Sequence, residues 1–241
     1  MKRHFLVGCL LLLTTLSAPF AFGKSKYGPS TKLSSAHEYL QKSAAPDYWA
    51  LAPYYTAQQD EKSCSIASVT MLLNAARAKQ ELTSDEELVT QKSLMKKNSA
   101  WDHAVGLLGK GATLDELKIL VEESMKAYGI KFLSVEAFHV VDESEKSRNQ
   151  LKKVLIENEK SDRDFILLNF IQGKFTGDSD VGHIAPLGAY DLATKRALIM
   201  DPDRTWYEPY WVPLETLLAG LATLDTGAKK NRGYVWVKLA P

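Results

Sequence analysis

Acyl transfer by a thiol needs a sulfur to attack, an imidazole to move its proton and a carboxylate to fix the imidazole tautomer. This chain offers such a set in the order Cys64, His183 and Asp201. Cys64 stands just before an apolar segment in which Ile66, Val69, Leu72 and Leu73 recur on one helical face. Ser63 suits the N-cap of that helix, which puts Cys64 in the first turn. There the unpaired N–H groups and the positive dipole end favour a thiolate over a thiol. The ordinary alternative is that Cys64 is a buried small hydrophobe, as most free cysteines are.

His183–Tyr190 and Arg196–Asp201 read as two strands joined by a turn through Asp191–Lys195. Taking Leu192 as the turn centre sets His183 opposite Asp201, with Cβ atoms roughly 4.5–5.5 Å apart. A one-residue change in the turn would break that pairing. Taken singly, His183 reads as a satisfied core histidine and Asp201 as a cap before Pro202. Together with Cys64 they read as nucleophile, base and orienting carboxylate. Gln58, six residues before Cys64, is placed to donate its amide to an oxyanion beside the Cys64 N–H. Its plain alternative is a surface glutamine. His37, His103 and His139 show no partner spacing, and Trp206, Tyr207, Tyr210 and Trp211 suit core packing better than a cleft wall.

The elements that must position these groups follow from pattern. Lys2, Arg3 and His4 precede an apolar run from Phe5 to Leu13, and Ala21-Phe22-Gly23 offers a cleavage site before Lys24. Residues 1–23 therefore read as a signal peptide, too short to span a bilayer, and the protein as exported, periplasmic or extracellular. Leu6-Val7-Gly8-Cys9 looks like a lipoprotein acylation site but does not follow the apolar run, so lipidation is the lesser reading. With Cys9 removed, one cysteine enters an oxidising compartment with no internal partner, which tilts Cys64 towards chemistry. Residues 24–46 read as an extended lead-in and 47–241 as the catalytic domain.

The Cys64 helix is expected to stop near Lys79, and Thr83–Lys97 to form a short helix. Residues 98–111 read as loop anchored by Trp101. Thr113 and Glu116 form a capping box that opens a helix through Leu117, Leu120, Val121 and Met125, closed at Gly129. A strand near Lys131–Val135, a charged amphipathic helix over Ser144–Glu159 and a buried strand over Phe165–Phe170 follow, then a loop over Gly173–Gly182. Helices gather first and strands later, an α+β pattern. The chain has 241 residues, 45% hydrophobic and 24% charged, enough for one domain or two tightly packed lobes. Its net charge of +1 becomes −1 once Lys2 and Arg3 leave with the signal, which offers no footprint for nucleic acid or an anionic membrane. No zinc-type cluster, phosphate-cradling glycine loop or serine-nucleophile elbow is present in the sequence.

In order and spacing, Gln58, Cys64, Gly182-His183 and Asp201 resemble papain-like cysteine peptidases, and more closely the short bacterial phytochelatin synthases. The likeness extends through Ala67-Ser68, Leu73-Asn74, Gly111 with Thr113 to Leu117, Ile184 and Pro186, and Ile199-Met200-Asp201 with Arg204. Pro209, Trp211-Val212 and Arg232-Gly233 with Val235 complete it. The resemblance implies a helical lobe bearing the nucleophile, packed on an antiparallel sheet. It implies attack by Cys64 on glutathione before its glycine, leaving a γ-glutamylcysteinyl thioester for water or a second glutathione. The carboxylate of the γ-glutamyl end would then find an arginine fork, for which Arg204 and Arg232 are candidates beside the plain reading of surface or salt-bridging arginines. No cofactor is implied, a metal–glutathione thiolate enters only as substrate, and a homodimer is one admissible assembly. Ser63, Ser65, Ala185 and Trp206 depart from the residues usual in that family and bear on substrate fit. The rivals are a papain-like peptidase for longer peptides and a non-catalytic binding module.

Overall fold

The computed structural model describes residues 25–241, so the expected signal peptide and Cys9 lie outside the described residues. The chain runs through β1 (Thr31–Lys32), α1 (Glu38–Lys42), α2 (Pro46–Leu51), α3 (Cys64–Arg77), α4 (Gln91–Lys97), α5 (Trp101–Val105) and α6 (Leu114–Ala127). Next come β2 (Phe132–His139), α7 (Glu145–Asn158), β3 (Asp164–Ile171), α8 (Gln172–Thr176), β4 (Gly182–Asp191) and β5 (Arg196–Ile199). The chain closes with β6 (Tyr210–Pro213), α9 (Leu214–Leu221), the small ribbon β7 (Leu224–Asp225) and β8 (Lys230–Asn231), and β9 (Gly233–Leu239). Seven strands form one antiparallel sheet in the order β1-β6-β5-β4-β3-β9-β2. The fold is α+β, as the pattern predicts.

Side chains alternate across a strand, and here both faces of the sheet are covered. Phe165, Leu167, Val235 and Val237 join a core with Leu72 of α3 and Leu117 and Val121 of α6. Ile166, Leu168, Phe170 and Trp236 join another with Leu155 of α7 and Leu217 of α9. Two buried faces explain why β3 reads as a continuous apolar run over Phe165–Leu168 rather than an alternating one. Every residue of α3 is buried, so this helix is walled on all sides rather than lying on the surface with one apolar stripe.

Several boundaries differ from the sequence reading for local reasons. Thr83–Glu86 is a turn, and the helix begins only at Gln91, capped by Thr90 and Ser93. Buried Asn74 of α3 accepts from the Val89 N–H at 2.8 Å and donates to the Val89 carbonyl at 2.9 Å, which pins the chain against α3 just before α4 begins. Residues 98–111 hold the short α5, whose Trp101 is buried and donates to Ser124 at 3.0 Å, so its anchoring role stands. The capping box at Thr113 forms, and Gly129 takes a positive φ of 66° just after α6. Residues 173–182 begin inside α8 rather than in open loop. The expected lead-in is instead docked: β1 pairs with β6, and Ala36, Leu40 and Ala45 pack with Trp211. Its apolar residues are few, but the Trp211 indole N–H donates to the Ala36 carbonyl at 2.6 Å and fixes the segment.

Candidate active site

The first turn of α3 meets the open end of β4. Cys64 opens the helix with Ser63 at the N-cap position, but the Ser63 hydroxyl donates to the Asp60 carboxylate instead of capping the helix. The first-turn N–H groups therefore stay uncapped by Ser63, beside the sulfur-bearing residue. Ser68, one turn along, shares its hydroxyl proton between the carbonyls of Cys64 at 2.8 Å and Ile184 at 3.1 Å. That bridge ties the head of the helix to the residue after His183. On its other side, His183 is paired with Phe170 of β3, whose ring meets the imidazole edge-on at 5.5 Å.

His183 and Asp201 meet, though not by the pairing expected. Leu187 pairs with Ile199, and a bulge at Gly188 shifts the ladder beyond it. A Cβ at Gly188 would lie 2.9 Å from Met200, so the bulge needs the bare backbone. Continuing that register sets Asp201 opposite Ala185, two residues from His183 and on the same face. Diagonal neighbours of this kind remain within reach of long side chains. The His183 Nε2 donates to Asp201 Oδ1 at 2.8 Å.

Asp201 is wholly enclosed and fully engaged. The Asp203 N–H donates to Oδ1 at 2.8 Å, and Oδ2 accepts from the Tyr210 hydroxyl at 2.7 Å and the Gln172 amide at 3.2 Å. Burial pushes this carboxyl up, but the charge and hydrogen bond of His183, then Tyr210 and the Asp203 N–H, outweigh it and hold it below the ordinary range. For His183, burial favours the neutral ring. The charges of Asp201 and Cys64 and the hydrogen bonds to both reverse that and raise it well above its ordinary value. With Nε2 on Asp201, Nδ1 is the nitrogen left for the Cys64 sulfur. The three groups thus stand in series, thiol to imidazole to carboxylate.

Cys64 and His183 are 6% exposed yet line a cavity of about 670 Å³, together with Asn169, Gly182, Asp225 and Arg232. Arg232 is buried, donates from Nη1 to the Leu224 carbonyl at 2.7 Å, and has a buried Nε with no hydrogen-bond partner. Burial pulls its pKa down. A Cβ on Gly182 would lie 2.9 Å from its Nη2, so glycine there makes room for the guanidinium. Arg204 lies elsewhere: it is exposed, stacked 4.4 Å over the Tyr55 ring, and outside the lining of this cavity. The Gln58 N–H donates to the Pro202 carbonyl at 2.8 Å, beside Asp201, and its side-chain Oε1 is buried without a partner. It too lies outside the cavity lining.

Tyr210, Gln172, Asn169 and Asp225 carry no sequence signal of their own. Tyr210 reaches Asp201 because β6 runs beside β5, pairing Tyr210 with Ile199. Asp225 reaches the cavity because its ribbon folds back just before β9. Of the aromatic group, Tyr207, Tyr210 and Trp211 are buried as core packing predicts, and Trp206 is exposed.

Fold and site together define a class: an α+β protein that sets a thiol, an imidazole and a carboxylate in series on one cavity. The family model for phytochelatin synthase matches residues 26–234, and the chain belongs to that family. Among curated relatives it is similar to glutathione gamma-glutamylcysteinyltransferase 1 of Lotus japonicus, 26% identical over 214 residues, covering 83% of this chain and 37% of the relative. The protein of the same name from Arabidopsis thaliana is 26% identical over 229 residues, covering 87% of this chain and 42% of the relative. A glutathione gamma-glutamylcysteinyltransferase of Schizosaccharomyces pombe is 23% identical over 205 residues, covering 81% and 44%. The chain thus spans less than half the length of each of these relatives.

Proposed function

We propose that this protein is a papain-like thiol enzyme that cleaves glutathione into glycine and a γ-glutamylcysteinyl acyl-enzyme. The observation that carries the reading is the series of hydrogen-bonded groups from Cys64 through His183 to Asp201, opening on a cavity that also holds a buried arginine. Family membership and the names of the relatives supply the substrate. Asp201 holds Nε2–H, and the His183 imidazolium stabilises a negative sulfur on Cys64. The thiolate bonds to the cysteinyl carbonyl carbon, and the developing oxyanion is met by the Cys64 N–H and the Gln58 amide. His183 gives its proton to the departing glycine nitrogen, the C–N bond breaks and a thioester remains. Water, or the amine of a second glutathione, then gives a proton to His183 and bonds to the carbonyl carbon as the C–S bond breaks. The products are γ-glutamylcysteine or a chain lengthened by one γ-glutamylcysteinyl unit.

Arg232 and Asp225 face the same cavity and suit the carboxylate and ammonium of the γ-glutamyl end. Arg204 is a weaker partner for this substrate, since it stacks on Tyr55 outside that cavity. No resident cofactor enters the scheme, and a metal–glutathione thiolate is admitted as substrate only. We further propose that the enzyme acts after export, periplasmic or extracellular, where dilute glutathione favours water as acceptor. Oligomeric state, a homodimer included, does not enter the chemistry.

Mass spectrometry of glutathione incubated with the purified protein tests the reading. Equimolar glycine and γ-glutamylcysteine are expected from hydrolysis, with added longer oligomers from transfer. Cys64→Ala abolishes both. An intact tripeptide, or turnover confined to α-linked peptides, overturns the assignment.

A further inference from the structure

Cys64 borders two clefts, and they differ in chemistry. The larger, of about 670 Å³, holds Arg232 and Asp225. The second, of about 510 Å³, is bounded by Asp60, Glu61, Lys62 and Lys110, and shares Cys64, Lys110, Gly111 and Gly182 with the first. Beside Lys110, the other three charged groups of this cleft are either engaged or of opposite sign. The Lys62 ammonium donates to the carbonyls of Gly106 at 2.6 Å and Leu107 at 3.3 Å. Asp60 accepts from the Ser63 hydroxyl and the Lys62 N–H. Glu61 is exposed. Lys110 is exposed at the junction of both clefts, and among the described residues no hydrogen bond or ion pair engages its ammonium.

We infer that the second cleft is the leaving-group and acceptor side of the site, and that Lys110 binds the carboxylate carried there next to the reacting nitrogen. The inference rests on the glutathione reading and adds a residue to it. Departing glycine bears its amine and its carboxylate on one carbon. The glutamyl end of an acceptor glutathione bears the same pair on one carbon. The entering amine retraces the path by which glycine left, so a single cation beside Cys64 serves both half-reactions. Water has no carboxylate and gains nothing from it. Lys110 therefore favours release of a free-acid glycine and transfer over hydrolysis, while the Arg232 side holds the acyl portion throughout.

Lys110→Met tests this, with Lys110→Arg as the charge-retaining control. One readout needs no turnover: the rates at which iodoacetate and iodoacetamide alkylate Cys64. Iodoacetate carries a carboxylate on the attacked carbon, so its rate is expected to fall about two- to fivefold in Lys110→Met, the scale of a solvent-exposed ion pair. The iodoacetamide rate stays as it was, and Lys110→Arg restores the preference. A second readout compares glutathione with its C-terminal amide, where the wild-type preference for the acid is lost in Lys110→Met through KM. An unchanged iodoacetate-to-iodoacetamide ratio overturns the inference. Should the wild-type protein release no glycine from glutathione, the substrate reading falls, and the alkylation ratio still decides Lys110.

Discussion

A carboxylate with no solvent exposure survives as an anion only when every lone-pair direction is met. Asp201 meets that condition with donors from His183, Asp203, Tyr210 and Gln172. The consequence for pH dependence has a definite sign. Asp201 is held below its ordinary 3.8, so the stability it contributes is present above that value and lost as pH falls through its lower folded value. His183 is raised well above its ordinary 6.5, so its contribution is full below 6.5 and lost as pH rises through the raised folded value. Asp201→Asn leaves the imidazole buried without its counter-charge and should cost about 3–5 kcal/mol between those limits. Urea unfolding of both proteins across pH checks this: the gap should be widest between about pH 5 and 6.5 and shrink on either side. A gap independent of pH would contradict the ionised pair.

The helix that carries the thiol is positioned by polar residues within an otherwise apolar element. Ser68 ties its head to β4, and Asn74 clamps the chain at Val89. Asn74→Ala would strand a buried N–H and a buried carbonyl, an expected loss of about 2–4 kcal/mol for one to two polar groups left unpaired in the interior. Equilibrium urea unfolding should show a lower midpoint at unchanged slope. Alkylation of Cys64 in the surviving folded fraction should keep the wild-type rate, since the clamp lies at the far end of α3. A comparable loss of alkylation rate would mean that the clamp also sets the thiol.

For the molecule as a whole, the sheet works as a middle layer with helices on both faces. Leu167 and Leu168 of β3 are both wholly buried, one in each core. Truncating either to alanine should therefore cost a similar amount, about 2–5 kcal/mol each. A sheet with one wet face would show a large loss for one and little for the other. Thermal or urea unfolding of the two variants separates these cases. The same layering places the site: α3 meets the end of β4 because the first core spans both, and the closing ribbon brings Asp225 and Arg232 round to the same cavity.

Local rules determined a good share of this. Period, capping, apolar runs and turn spacing located α3, α6, α7, β3 and β4, because those signals lie within a few residues of the structure they specify. Residue type and order were enough to single out Cys64, His183 and Asp201, since few side chains can do that chemistry. The register that joins the last two was legible only to within two residues, because the turn is centred between Ala193 and Thr194 rather than at Leu192, as the Asp191–Arg196 pairing shows, and the bulge at Gly188 recovers only part of that difference. What tertiary structure alone decided is which distant groups share a space. Tyr210 and Gln172 close round Asp201, Arg232 enters the cavity while Arg204 stacks on Tyr55, and Lys110 stands where two clefts join at Cys64. Those neighbours lie on different elements, and strand order and packing, which no short window of sequence encodes, bring them together.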